Sequence, residues 1–465
     1  MNARISPNSM TGDLADIAWS VAHEPVTSDA IQAATRLVQH ALGVCVAGCS
    51  LHPARVARAS IGSAAGPCTV FGSSDQHEAQ DAAFANAVSG HASLLEDSGP
   101  GGPREGSHPG AYVFPAALAI AEQEGASGYD LVHAVCAGYE TVSQLGEVFA
   151  PAMFEQGFRP IAMLGPFGAA AAAGALGQLS RDEMATSFAI AANLASGFNQ
   201  GFVEGTMEPY FHPAFAARNG ILAARLAAAG STASRYALEG DRGMLAAFGG
   251  SRTGTPIARR NELAVCRVGT KRFATCLYNQ GTLALIRKHF PDGIDPGRLG
   301  RVQIARPLAG SDGTRAPGVA SAPPYTTPLA RQMSARFTAA AALLGRPVES
   351  AHYYETAATD VAVNALAARI ELASREADGI HIVIELVGGL ATEIVANGEL
   401  ALEFSTPATL SQFAARVRPV AGERFGRLVE MIADLPRLDN VRRLTAELRS
   451  CWLRAHETAS HEETQ

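Results

Sequence analysis

Seven cysteines, thirteen histidines and one glycine-rich run are the parts of this sequence whose types and spacing could carry chemistry unaided. The cysteines, Cys45, Cys49, Cys68, Cys136, Cys266, Cys276 and Cys451, are odd in number and lack C-x-x-C spacing, which points to neither a disulfide framework nor a zinc site. They read as small core residues. The run Gly99 to Gly106 (GPGGPREG) follows no strand pattern and is better taken as a flexible loop than as a phosphate cradle. The sequence has no H-E-x-x-H, no G-x-x-x-x-G-K-[ST] and no G-x-S-x-G elbow. Any site must be assembled from distant segments.

Composition limits what such a site could serve. At 465 residues the chain exceeds the usual reach of one hydrophobic core, so two domains are expected. Hydrophobic residues at 47%, charged residues at 17% and a mean hydropathy of +0.07 describe a compact chain with much interior or interface. A net charge of -7 offers no broad basic surface, so nucleic acid is not an expected partner. A membrane span is not expected. The opening MNARISPNSMTGDLADIAWS lacks the plan of a signal peptide, and a cytoplasmic location is expected.

The positioning elements can be read from periodicity. Apolar residues recur at helical spacing from Ser28 to Cys49, and again at Asp130 to Leu145, Gly165 to Leu176, Glu183 to Leu194, Ala216 to Ala229 and Arg418 to Leu435. Ser127 with Asp130, and Ser180 with Glu183, form capping boxes that sharpen two of these starts. The first 270 residues therefore read as almost wholly helical, with Ala-rich helices able to pack in tight layers. Period-two alternation at Arg301 to Arg306 and Ile380 to Leu386 predicts strands, and Gly388-Gly389 before Leu390 to Val395 predicts a hairpin. Leu329 to Leu344 reads as one helix stopping at Gly345. Pro307 to Pro328 reads as a loop, Thr409 to Leu453 as helical again, and His456 to Gln465 as a frayed polar tail. The expected architecture is mainly α: a helical domain over 1–270, a smaller α+β lid over 271–407, and a helical return over 408–465.

Several segments, in order along the chain, resemble the MmgE/PrpD family of 2-methylcitrate dehydratases, cis-aconitate decarboxylases and related epimerases. They are ALGVCVAG (Ala41 to Gly48), AFANAVSGHASLLEDS (Ala83 to Ser98), SHPGAYVFPAALAIAEQEGASGYDLVHAVCAGYE (Ser107 to Glu140), GFRPIAMLGPFGAAAAAGALGQLS (Gly157 to Ser180), FAARNGILAARLAAAG (Phe215 to Gly230), EGDRGMLAAF (Glu239 to Phe248) and KRFATCLYNQG (Lys271 to Gly281). The resemblance implies a homodimer of two-domain subunits, a small-molecule site in the cleft under the lid, and no metal or organic cofactor. The family's reactions share a proton transfer at a carbon beside a carboxylate or carbonyl, with cations stabilising the negative charge that develops.

By the same resemblance His108, in the His-Pro motif, is the first choice as general acid or base. Structural histidine within the loop is the alternative. The family's acidic run is met here by Leu94, Leu95, Glu96, Asp97 and Ser98, so its first Asp has become leucine, and Asp97 and Ser98 are carried over as substrate-binding candidates. Arg159 stands where the family has histidine, exchanging a titrating group for a permanent cation that could bind a substrate anion or form a salt bridge. The family's lysine position is Pro209; His212 nearby could line the cleft or cap the following helix. Lys271 is retained as a cation, whereas Gln280 replaces an expected histidine. Tyr278 and Cys276 are expected to face the cleft, Phe337 takes the place of a ring hydroxyl, and His91 either points into the cleft or packs its helix.

Three readings follow. The first is a lyase or isomerase using His108 for proton transfer and Arg159 and Lys271 for a mono- or dianion. The second is a cavity repurposed for cyclisation or rearrangement of a larger, less charged biosynthetic intermediate. The third is a non-catalytic dimeric binding homologue.

Overall fold

A computed structural model describes residues 9–62, 65–102, 105–248, 257–306, 317–374, 379–397 and 410–462, with side chains described as far as 452. The chain opens with α1 (Met10–His23), α2 (Ser28–Gly48) and α3 (His52–Ser60), then a two-strand ladder of β1 (Ala65–Thr69) and β2 (Gln76–His77). Next come α4 (Ala79–Ala92), the two-residue strand β3 (Asp97–Ser98), α5 (Val113–Glu124), α6 (Gly128–Glu155), α7 (Pro160–Leu176) and α8 (Arg181–Asn193). The helical part continues with α9 (Gln200–Glu204), α10 (His212–Ala228) and α11 (Met244–Phe248).

Both predicted capping boxes form. Ser127 and Ser180 each accept the backbone N–H three residues on, while Asp130 and Glu183 reach back to the cap. Every residue of α7 is buried, as its all-round apolar sequence requires of a helix at the centre of a layered core. It packs between α6 and α10, α10 packs on α4, and α4 on α2. Glycine makes the α6–α7 crossing possible. A Cβ on Gly138 would stand 2.8 Å from the Gly168 carbonyl oxygen, and one on Gly168 would stand 3.0 Å from the Gly138 carbonyl and collide with Val142.

Beyond the helical body lie β4 (Gly269–Thr270), α12 (Gln280–His289), β5 (Leu299–Arg306), α13 (Pro328–Met333), α14 (Ala335–Leu343), α15 (Ala351–Thr356) and α16 (Val361–Ala367). They are followed by β6 (Ile370–Ser374), β7 (Gly379–Leu386) and β8 (Ala391–Asn397). Strands β6, β5, β7 and β8 form one sheet in that order, with β5 and β6 parallel and the other pairs antiparallel. The chain then runs through α17 (Leu410–Ala421), α18 (Phe425–Ala433) and α19 (Arg442–Glu462). Here α17 packs on α2, and the Gly128 N–H donates to the Leu438 carbonyl at 2.8 Å. The fold is mainly α, a layered helical body with a smaller α+β part.

Two expected helices are interrupted, and three short strand pairings leave no periodic trace. The first 270 residues carry two short ladders, β1–β2 and β3–β4, because two-residue pairings leave no periodic trace. Leu329 to Leu344 is two helices: Ser334 adopts extended backbone and its Oγ accepts the Phe337 N–H at 3.2 Å, so the serine caps α14 and ends α13. Arg418 to Leu435 is also interrupted, at Gly422 with φ 50°, between α17 and α18. Strand β6 went unread because its burial does not alternate. The stop at Gly345 holds, with φ 69°. Part of the Pro307 to Pro328 loop, 307–316, lies outside the described residues, as do Thr409 and the last three residues of the tail.

Gly168→Ala is expected to destabilise the protein by about 1–3 kcal/mol, since α6 and α7 must separate or Val142 must leave its rotamer. Urea unfolding measures this; an unchanged midpoint would show the crossing to be looser than drawn.

Candidate active site

The ladder between β3 and β4 sets the geometry of the site. Asp97 pairs with Thr270 and Ser98 with Gly269, antiparallel, so the next position along places Glu96 opposite Lys271. Their side chains form an ion pair that is 2% exposed on each side, with Lys271 Nζ donating to Glu96 Oε1. Burial alone would raise the Glu96 carboxyl, but the Lys271 ammonium holds it well below the usual carboxylate range.

The loop carrying Glu96 is fixed from behind. His40 on α2 donates its Nε2–H to the Leu95 carbonyl at 3.0 Å, and Arg416 on α17 lies 3.0 Å from the other ring nitrogen. The Asp97 carboxylate accepts the Gly110 N–H at 2.9 Å and the Tyr139 hydroxyl, while burial pushes its pKa up to about 6.

His108 lies across this loop. Its Nδ1 is 2.6 Å from the Asp97 carbonyl oxygen, which can only accept, so Nδ1 carries the proton and Nε2 keeps its lone pair. Burial, and then the Lys271 charge, hold the ring well below the usual histidine range; it is neutral at physiological pH.

Arg159 caps the start of α7, with its guanidinium 4.3 Å above the Phe202 ring. Its Nε is buried without a hydrogen-bond partner, and no carboxylate pairs with it among the described residues. Burial lowers its pKa, yet guanidinium remains protonated.

These groups face one cavity. His108, Arg159, Lys271, Glu96, Cys276 and Tyr278 supply its polar wall. Leu94, Gly106, Phe154, Phe202, Leu277 and Met333 supply the rest. Leu94 reaches it from a left-handed backbone at φ 51°.

The matching family is described as the MmgE/PrpD N-terminal domain, over residues 12–255. The chain belongs to the MmgE/PrpD family. It is similar to the cis-aconitate decarboxylase-like protein oryM of Aspergillus oryzae, 31% identical over 170 residues covering 35% of this chain and 34% of that protein. Two cis-aconitate decarboxylases of Aspergillus terreus also match: one is 26% identical over 256 residues, 51% of each chain, and the other 30% identical over 180 residues, 37% of this chain and 36% of the relative. The chain thus spans about half or less of the length of the curated relatives it matches.

Of the residues that the MmgE/PrpD resemblance singled out, His108, Arg159, Lys271 and Tyr278 come together at the cavity, with Cys276 beside them. His91 lies behind Glu96, its Nδ1 3.4 Å from Oε1 but out of line for a hydrogen bond, and its ring 6.2 Å from that of His108. His212 neither lines the cavity nor caps a helix: it is the first residue of α10, buried without a partner for Nδ1, and burial followed by the Arg159 charge pushes its pKa down to about 3. Asp97 acts on His108 through its backbone and does not reach the cavity wall. The Ser98 backbone is committed to the β3–β4 ladder, and its side chain does not line the cavity.

Two candidates are displaced by their own bonding. Gln280 is fully buried; its Oε1 accepts the Arg272 and Phe273 N–H groups at 3.1 and 3.0 Å, and its Nε2 donates to the Phe273 and Thr275 carbonyls at 2.8 and 3.3 Å. Its amide shapes the turn after Lys271. Phe337 packs with Tyr325, Tyr353 and Tyr354 in an aromatic cluster of the α+β part. Pro209 is likewise buried away from the cavity wall.

Glu96 was the residue that sequence reasoning passed over. Its signal was its place between Leu94 and Asp97 in the acidic run, but an acid that neutralises a lysine is distinguishable from one that binds substrate only when the pair is seen. No group of three or more His, Cys, Asp or Glu among the described residues is placed to hold a metal ion.

Lys271→Met is expected to cost about 3–5 kcal/mol by stranding the Glu96 carboxylate, and Glu96→Gln in the same chain to restore most of that loss. Denaturant unfolding of the single and paired variants checks this; equal destabilisation by both would contradict the ion-pair reading.

Proposed function

We propose that the cavity is the active site of a lyase or isomerase that moves a proton at a carbon beside a carboxylate. The observation carrying this reading is a neutral imidazole with its Nε2 lone pair free, beside an arginine that has no carboxylate partner among the described residues. With the substrate carboxylate on Arg159, His108 Nε2 takes the proton from the adjacent carbon. The electron pair left behind delocalises into the carboxylate, whose growing charge Arg159 steadies.

The Nδ1–H bond to the Asp97 carbonyl holds the ring in the accepting tautomer and supports the imidazolium once formed. Burial, with the Lys271 charge, keeps the resting ring neutral, and Glu96 keeps Lys271 tolerable in a buried site. The imidazolium can return the proton to a different carbon, giving double-bond migration, or pass it to a neighbouring hydroxyl that leaves as water, giving dehydration; epimerisation takes its new proton from solvent on the opposite face. The relatives named cis-aconitate decarboxylase support the same carboxylate-adjacent chemistry.

The test is solvent deuterium incorporation, followed by NMR, into cis-aconitate, 2-methylcitrate and trans-3-hexenoate, each of which carries a saturated carbon beside a carboxylate. His108→Asn keeps a donor for the Asp97 carbonyl and removes the base, so exchange should fall by about 100-fold or more with folding nearly unchanged. Undiminished exchange would take His108 out of the reaction.

The pH profile gives a second check. Because the folded-state pKa of His108 lies below 6.5, activity should persist as pH falls through 6.5 and decline only below it. In the paired Glu96→Gln/Lys271→Met variant the acid limb should move to higher pH, since Lys271 lowers His108 more than Glu96 raises it.

A further inference from the structure

We infer that the cavity takes a monocarboxylic acid with a hydrocarbon remainder and discriminates against polycarboxylates. This deepens the proposed function and rests on it for the identity of the site.

Charge bookkeeping at the cavity wall leads there. Lys271 is neutralised by Glu96 at direct contact, with both groups out of water. Burial keeps His91 and His108 neutral. Arg159 is then the wall's single uncompensated charge among the described residues, and its buried Nε lacks a partner. Arg306, also buried, stands behind the wall and donates to the Tyr278 carbonyl at 2.5 Å.

One guanidinium matches one carboxylate through two parallel hydrogen bonds. Beyond Arg159 the wall offers a further carboxylate only the Tyr278 hydroxyl, the Cys276 thiol and an ammonium already held by Glu96, and along Leu94, Phe154, Leu277 and Met333 no donor replaces its lost hydration. Those side chains suit a hydrocarbon or aryl group. Phe202, under the Arg159 guanidinium, orients the anion anchor and leaves its N–H edge for the ligand.

The test compares trans-3-hexenoate, its neutral amide trans-3-hexenamide and cis-aconitate with the full chain, by thermal shift and calorimetric titration. Hexenoate should bind about tenfold or more tightly than either of the others. Arg159→Met should abolish the preference for acid over amide, and Arg159→Lys should keep part of it.

Tighter binding of cis-aconitate, equal binding of acid and amide, or no binding of hexenoate to protein that melts cooperatively would each overturn the inference. Its failure is separable from that of the proposed reaction. Hexenoate bound by wild type and by His108→Asn, with no exchange in either, would sink the reaction and leave the substrate class standing. Exchange into cis-aconitate that depends on His108 and outpaces hexenoate would do the reverse.

Discussion

The site depends on one buried ion pair, Lys271 with Glu96, joining the loop after α4 to the chain as it leaves the helical body. Two charges removed from water carry a large desolvation cost, offset only when they meet at contact distance with fixed geometry. The short β3–β4 ladder supplies that fixity by register: a slip of one residue would turn the Glu96 or Lys271 side chain away from the other and leave it unpaired. The ladder is small, but the cost of misplacing it is high.

Support for that register reaches across the whole fold. Arg416 on α17 holds His40 on α2, and His40 holds the Leu95 carbonyl beside Glu96. On the other side, Gln280 closes the turn after Lys271. Gln332 on α13 ties Ser93 and Ala274 together through its amide, at 3.2 and 3.3 Å, and accepts the Tyr210 hydroxyl. The C-terminal helices, the helical body and the α+β part therefore all bear on where two side chains meet. Cavity electrostatics follow from that meeting: a neutral base, a cancelled lysine and one spare arginine.

Sequence made the helices with strong local signals legible, because a capping box at Ser127 or Ser180 and an apolar face at 3.6-residue spacing are written locally. The strands Leu299–Arg306 and Gly379–Leu386 were equally readable from alternation. Ser334 was not: a serine inside an apolar helical run looks neutral until its side chain is seen to replace a backbone acceptor. At the site, resemblance brought out His108, Arg159 and Lys271, whose types alone suggest proton transfer and anion binding. It could not separate Gln280 and Phe337 from the cavity, since both are fixed by partners from neighbouring turns and helices. Nor could it recognise Glu96, whose part is to cancel a charge.

The most direct measurement is nitrogen NMR of histidine-labelled protein, assigning His108 by comparison with His108→Asn and following it as pH is lowered from neutrality. The account predicts a neutral ring with its proton on Nδ1, unchanged through pH 6.5. A ring already charged at that pH, or carrying its proton on Nε2, would contradict it.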